Sequence, residues 1–338
     1  MAVEQHNTNT TTRTQATLNQ YLETARRLEK LARKEILEDM PYAIGARDVI
    51  SVMQFSVWLI ERMKAAKISG ATYRVHKAAL IASFEQLDQD EEVKMAIDML
   101  RSTHHVKGLK PTIKKTSSKK SKSCSMEDLV KLTDYMQGRK GKHNVLSSLW
   151  LTATYHMGLR PCEWQYAVIT QATFDDSSLP ETALRVRNAK NTNGRAHGEF
   201  RHLPLHHLDP DSYETVIAFV MLLEVEMQSK SFGVIHAGCK QAIYQMSRRC
   251  FTRRHKGVSR YTMRHQFSAN AKNSLSLNEV GALMGHAVAD TSKINYARAS
   301  VGHVITGLKA MKAEVARVKS ETPSPYARKP EPPDLVAE

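Results

Sequence analysis

The 338-residue sequence holds only four cysteines, Cys124, Cys162, Cys239 and Cys250, and no two of them approach the C-x-x-C spacing of a zinc site or redox motif. They are read as reduced thiols, with neither a metal centre nor a disulfide framework. No run of about 18 uncharged apolar residues occurs, which argues against a transmembrane helix. The opening residues, MAVEQHNTNTTTRTQ, lack the charged-then-apolar order of a signal peptide. Glycine and proline are sparse, at 15 and 11, as in an ordinary folded chain. Acidic residues are in deficit: 34 Asp and Glu face 49 Lys and Arg, for a formal net charge of +15. Neutralising phosphates releases counterions, so this imbalance points to a polyanionic partner. Together these features favour a cytoplasmic, nucleoid-associated protein facing DNA or RNA over a membrane protein.

The length allows two domains, each with its own core. Residues 1–13 are polar and Thr/Asn-rich, and read as a flexible arm. From Thr14, Leu18, Tyr21, Leu22, Ala25, Leu28, Leu31, Ala32 and Ile36 recur at helical spacing, with Arg26, Arg27, Lys30, Arg33 and Lys34 on the other faces. Pro41 and Gly45 end that helix. Asp48 is expected to start a second one, DVISVMQFSVWLIERM; Ser69 and Thr72 open a third; residues 88–100 supply a short fourth. Residues 14–105 are therefore an all-helical domain. Residues 106–125 carry Lys107, Lys110, Lys114, Lys115, Lys119, Lys120 and Lys122 with no acidic residue, and read as an extended basic linker. These lysines serve either as a charged, soluble tether or as contacts along a phosphate backbone.

A second domain, residues 126–320, starts after Ser125, which with Asp128 has the spacing of a capping box. HNVLSSLWLTATYHMG is apolar nearly all round and reads as a buried helix, ending in GLRPCEW. Residues 183–205 change period: LRVRN, a basic Gly-containing turn, then RHLPL with Pro204 limiting the second strand to an edge, a β-hairpin. Two more apolar helices follow. Residues 261–296 then concentrate Arg264, His265, Gly285, His286 and Tyr296. A guanidinium can chelate two phosphate oxygens, an imidazole can shuttle a proton, and a phenol can act as an oxygen nucleophile. Val304, Leu308, Met311, Val315 and Val318 step along one face and predict a terminal helix, docking either on its own domain or on a neighbouring protomer. Residues 321–338 hold five prolines and read as a disordered tail.

Three boxes resemble the catalytic domain of tyrosine recombinases of the phage-integrase family. GLRxxE matches the first, in Arg160 and Glu163. Tyr261-Thr262-Met263-Arg264-His265 matches the second, which usually reads HxxR followed often by histidine. Gly285-His286, with Tyr296 ten positions on, matches the third. The helical pattern of the first half resembles the family's core-binding domain more loosely. The resemblance implies a mainly α fold with a small antiparallel β-sheet, built as a two-domain DNA clamp of core-binding and catalytic domains. It implies that Arg160 and Arg264 bind the scissile phosphate, that Glu163 and His265 support the site, and that His286 adds a hydrogen bond. Tyr296 would attack to give a 3′-phosphotyrosine. A hairpin lysine would protonate the leaving 5′ oxygen; Lys190 fits best, with Arg187 and Arg195 as near alternatives that also reach DNA. Neither metal nor other cofactor nor ATP is expected. The partners implied are double-stranded DNA with specific sites, a homotetramer on DNA built from protomers monomeric in solution, and accessory DNA-bending proteins.

Tyr261 departs from the pattern. A phenol donates a hydrogen bond to phosphate but is a poor proton acceptor at neutral pH. Tyrosine there resembles hairpin telomere resolvases, which keeps open a resolvase or DNA-relaxing enzyme of the same chemistry, or a DNA-binding relative with weakened catalysis. The leading expectation is the recombinase of a mobile element in a prokaryotic or phage setting.

Overall fold

The computed structural model describes residues 15–39, 50–106, 121–174, 179–189, 191, 196–253 and 256–320. The chain divides into two compact units, Met1–Lys115 and Thr116–Glu338. The described residues are mainly α-helical, with one three-stranded antiparallel sheet. None of their helices is long and apolar enough to cross a membrane.

The first unit contains α1 (Gln15–Asp39), α2 (Val52–Lys64), α3 (Gly70–Phe84) and α4 (Glu91–Ser102). Leu28 and Ala32 of α1 meet Phe55, Leu59 and Met63 of α2, Tyr73 and Leu80 of α3, and Val93 and Leu100 of α4 in one core. Asp48 lies outside the described residues, and α2 starts at Ser51. That serine accepts from the Gln54 amide while the Gln54 side chain accepts from the Ser51 amide, so two otherwise orphaned amides are satisfied. Ser69 caps α3 by accepting from the Thr72 amide, as its spacing predicts.

The second unit opens with α5 (Met126–Gln137), capped by Ser125, and α6 (Asn144–Met157). α6 is buried nearly all round because helices pack on both sides of it. Trp150, wholly buried, lies 5.5 Å from the Phe219 ring and 4.3 Å from the Arg260 guanidinium. β1 (Val168–Ala172), β2 (Glu181–Arg187) and β3 (Phe200–Pro204) form the sheet in that order, leaving β3 at an edge as Pro204 requires. β1 is absent from the sequence reading, since neither of its faces is buried and it shows no apolar alternation. α7 (Pro210–Ser229), α8 (Phe232–Cys250), α9 (Arg260–Ala271), α10 (Leu277–Met284) and α11 (Asp290–Asn295) complete the unit.

The expected terminal helix does not form. Residues 304–311 are irregular, and only Lys312–Val315 is helical. Gly307 turns the chain at φ 75°, and the stripe is divided between two tasks. Leu308 joins the main core, while Val318 packs on Ala282 and Ala289 as Lys319 bridges to Val288. Between them Glu314 is buried and accepts from the His202 amide at 2.9 Å. The segment is thus anchored on its own chain.

Residues 121–124, the end of the expected linker, are bonded onto the same unit. Thr262 Oγ1 donates to the Ser121 carbonyl at 2.8 Å, and the Cys124 amide donates to Gln266 Oε1 at 3.0 Å.

Candidate active site

The first guanidinium of the site is placed by a helix end. α6 stops at Gly158, whose φ of 68° lies in the left-handed region and whose missing Cβ would sit 2.1 Å from Phe267 Cδ1. The chain reverses there, and Arg160 closes a tight loop on Glu163. The Arg160 amide donates to Glu163 Oε2 at 2.7 Å and its Nη1 to Oε1 at 2.6 Å.

Glu163, 1% exposed, gathers more than this one partner. Arg201 on β3 donates Nη2 to Oε2 at 2.8 Å, the Ala189 amide donates to Oε1 at 3.3 Å, and Arg264 Nη1 lies 3.7 Å away. Burial alone would raise the carboxyl pKa. Arg201, Arg264 and Arg160 together hold it well below the usual carboxylate range. Arg201 is fixed further by Asn188 Oδ1 and, at 2.8 Å, by the Leu283 carbonyl.

Arg264 projects from α9 with no exposed surface. Its Nη1 donates to the Gly158 carbonyl and its Nη2 to the Met284 carbonyl at 2.8 Å, while its Nε donates to Tyr296 Oη at 3.0 Å. Nη2 also lies 3.3 Å from His286 Nε2. A guanidinium can only donate, so Nε2 accepts and the ring proton sits on Nδ1, which donates to Ser292 Oγ at 2.9 Å. Burial, with the charges of Arg264, Arg160 and Arg201, pushes the His286 pKa well below its ordinary value and keeps the ring neutral. Gly285 turns the chain before it at φ 65°; a Cβ there would lie 2.3 Å from Asn188 Oδ1.

Tyr296 is boxed in by these groups. Its ring centroid is 5.0 Å from that of His265 and 5.2 Å from that of His286, and the Arg264 guanidinium lies 5.3 Å from it. It stands immediately after α11, at the C-cap, and Ser292 of that helix serves His286. Burial and the charges of Lys122, Arg264 and Lys272 bring His265 down to about 4. Tyr261, in the first turn of α9, is 45% exposed. Partial burial raises its phenol pKa, and its charge couples to Arg264, Tyr296 and Arg160, so it borders the same site.

Of the residues expected from sequence, Arg160, Glu163, Arg264, His265, His286 and Tyr296 thus come together, with Tyr261 at the border. Lys122 is exposed and close enough to act on His265. Arg187 points outward, paired with Glu199 at 3.4 Å. Lys190 and Arg195 lie outside the described residues, as do Lys107, Lys110, Lys114, Lys115, Lys119 and Lys120. Arg201, Asn188 and Ser292 were missed. Arg201 alternates with Leu203 on the inward face of β3, so period two alone marks it as a buried cation in need of an anion.

Three buried guanidiniums therefore face one carboxylate, with a neutral imidazole between them. Arg160, 6% exposed, keeps Nε and Nη2 without a protein partner among the described residues. This excess of two positive charges calls for an anion.

Elsewhere in the unit burial depresses His156, His207 and His236 to about 4, as it does His265. A folded-state pKa below the unfolded 6.5 means the unfolded chain binds more protons between those values. Stability is then fully present above 6.5 and lost as pH falls towards 4. The melting temperature is expected to change little from pH 8 to 6.5 and to drop steadily below. A melting curve flat down to pH 4.5 would contradict this.

No family model and no curated protein matches the sequence. Among solved structures, the chain is similar to the XerH site-specific recombinase bound to its difH substrate before cleavage, at 16% identity over 82% of this chain and 75% of that one, with a TM-score of 0.44. It is similar also to XerH in a post-cleavage complex with palindromic difH, at 16% identity, 85% and 86% coverage and a TM-score of 0.42. XerA recombinase matches at 13% identity, 85% and 95% coverage and a TM-score of 0.37. These likenesses are distant, and the functional reading rests on the site's own residues.

Proposed function

We propose that this chain is a site-specific tyrosine recombinase, which cleaves and rejoins DNA through a 3′-phosphotyrosine. The observation that carries the reading is the Tyr296 hydroxyl held 3.0 Å from Nε of a wholly buried arginine, in a cluster with two uncompensated positive charges. A phosphodiester carries one negative charge and gains a second as it becomes pentacoordinate. The excess therefore matches the transition state better than the ground state. The basic composition agrees with a duplex as substrate.

In this mechanism Tyr296 Oη attacks the scissile phosphorus, the Oη–P bond forms and the P–O5′ bond breaks. Arg160 offers its outward N–H groups to the non-bridging oxygens, and Arg264 stabilises the charge from beneath. The phenol proton needs an acceptor. Of the two imidazoles against Tyr296, His286 has both nitrogens engaged, whereas Nδ1 of His265 has no partner among the described residues. His265, whose ring lies 5.0 Å from that of Tyr296, is the acceptor at hand, a weak base because burial and the neighbouring cations hold it at about 4, and it stands in for the histidine that Tyr261 replaces. The leaving 5′ oxygen takes its proton from Lys190, which follows Ala189, the residue whose amide reaches Glu163. The linker lysines track the phosphate backbone, and four protomers on two duplexes exchange strands as part of a mobile element's integration or excision.

The test is covalent capture: the protein is incubated with nicked duplexes bearing a randomised stretch, denatured, and assayed for DNA that stays attached. Enrichment of one sequence supports the reading, and absence of any adduct overturns it. Tyr261 favours a second reading, an enzyme that closes hairpin ends, and the joined products separate the two as recombinant duplexes or closed hairpins. Because Tyr261 is exposed at the border and His265 supplies the base, Tyr261→His is expected to cleave the captured duplex at an equal or greater rate. A complete loss would assign the phenol a role of its own.

A further inference from the structure

The segment carrying Tyr296 is also held from outside the cluster. α11 is only six residues long, and Tyr296 leaves it with extended backbone at φ −113° and ψ 171°. A helix that stops there leaves its last carbonyls without amides from a following turn. One of these, the Ser292 carbonyl, accepts from Lys272 Nζ at 2.7 Å, and the same ammonium donates to the Ala297 carbonyl at 2.8 Å. The two acceptors lie on either side of Tyr296 in the chain. Ser292 is fixed a second time through its hydroxyl, by His286 Nδ1. Asn273, next to Lys272, donates Nδ2 to the Ala299 carbonyl at 3.0 Å.

Lys272 is the C-cap residue of α9, whose earlier turn bears Arg264. One helix thus presents both the guanidinium that touches the Tyr296 hydroxyl and the ammonium that holds its backbone. Burial lowers the lysine's pKa, and its charge meets no carboxylate among the described residues. Removing an ammonium from water is costly, and here it answers only to backbone carbonyls flanking the nucleophile.

We propose that Lys272 is a positioning residue for catalysis, fixing the backbone around Tyr296 so that the hydroxyl stays in register with Arg264 while Lys272 itself touches neither DNA nor the reacting phosphate. The proposal rests on the reading of Tyr296 as nucleophile. Full-length wild type, Lys272→Met and Lys272→Arg are compared in two measurements. The first is hydrogen exchange of peptides covering residues 290–299. The second is the single-turnover rate of adduct formation on the nicked duplex that the wild type captures, alongside its affinity for that duplex. Lys272→Met is expected to exchange faster in this segment and to form adduct about 100-fold more slowly, as a small misplacement of a reacting group does. Affinity stays at the wild-type value. Lys272→Arg, able to donate to both carbonyls, restores exchange and rate. Should the Met variant not fold, Lys272→Gln takes its place. Unchanged exchange in the Met variant, a rate loss matched by an equal loss of affinity, or an Arg variant as slow as Met overturns the proposal. If the wild type forms no adduct, the nucleophile reading fails by itself, and exchange alone still decides whether Lys272 holds the segment.

Discussion

Tyr296→Phe is expected to bind the captured duplex as the wild type does and to form no adduct, a loss of at least about 10⁴-fold in cleavage. The substitution removes a single oxygen. The ring contacts with His265 and His286 remain available to phenylalanine, and Tyr296 is only partly buried against the main core, so the fold should survive. What is lost is the atom beside Arg264 Nε. A denaturing gel of wild type and variant with equal bound DNA reads the result directly, and an adduct that persists in the variant would remove Tyr296 from the mechanism.

Glu163→Gln is expected to have the largest effect on stability. Among the described residues the carboxylate is the one anion bonded to or beside Arg160, Arg201 and Arg264, all buried. Glutamine keeps the shape, yet one of its terminal atoms turns from acceptor to donor and the site's positive charge goes uncompensated. Removing one partner of a buried ion pair costs about 3–5 kcal/mol. Thermal unfolding should show a loss of this size, partly recovered on adding sulfate or phosphate, which would enter the site as the missing anion. Unfolding at the wild-type temperature would mean that the three guanidiniums are neutralised by something other than Glu163.

The parts of the site that could be read in advance share a local signature. Arg160 and Glu163 follow a glycine at the end of an apolar helix, and their mutual bond spans a single turn. Gly285 and His286 likewise follow directly on the helix that Gly285 caps. What escaped depends on contacts between distant residues. Arg201 shares the inward face of β3 with Leu203, which marks it as buried, but its anion, Glu163, lies across the unit and brings it into the site. Ser292 belongs to no sequence motif, and its bond to the ring proton of His286 gives it its role. The terminal stripe has good helical spacing over residues 304–318. A left-handed glycine and a buried Glu314 bonded to His202 outweigh that local preference.

The central claim concerns one bond, and the most direct measurement identifies it. Wild-type adduct on the captured duplex is digested with nuclease and protease, and the modified peptide is sequenced by mass spectrometry. The account predicts a nucleotide joined through its 3′ phosphate to Tyr296, with a free 5′ hydroxyl on the other side of the break. Attachment to any other residue, or a link through the 5′ phosphate, would contradict it.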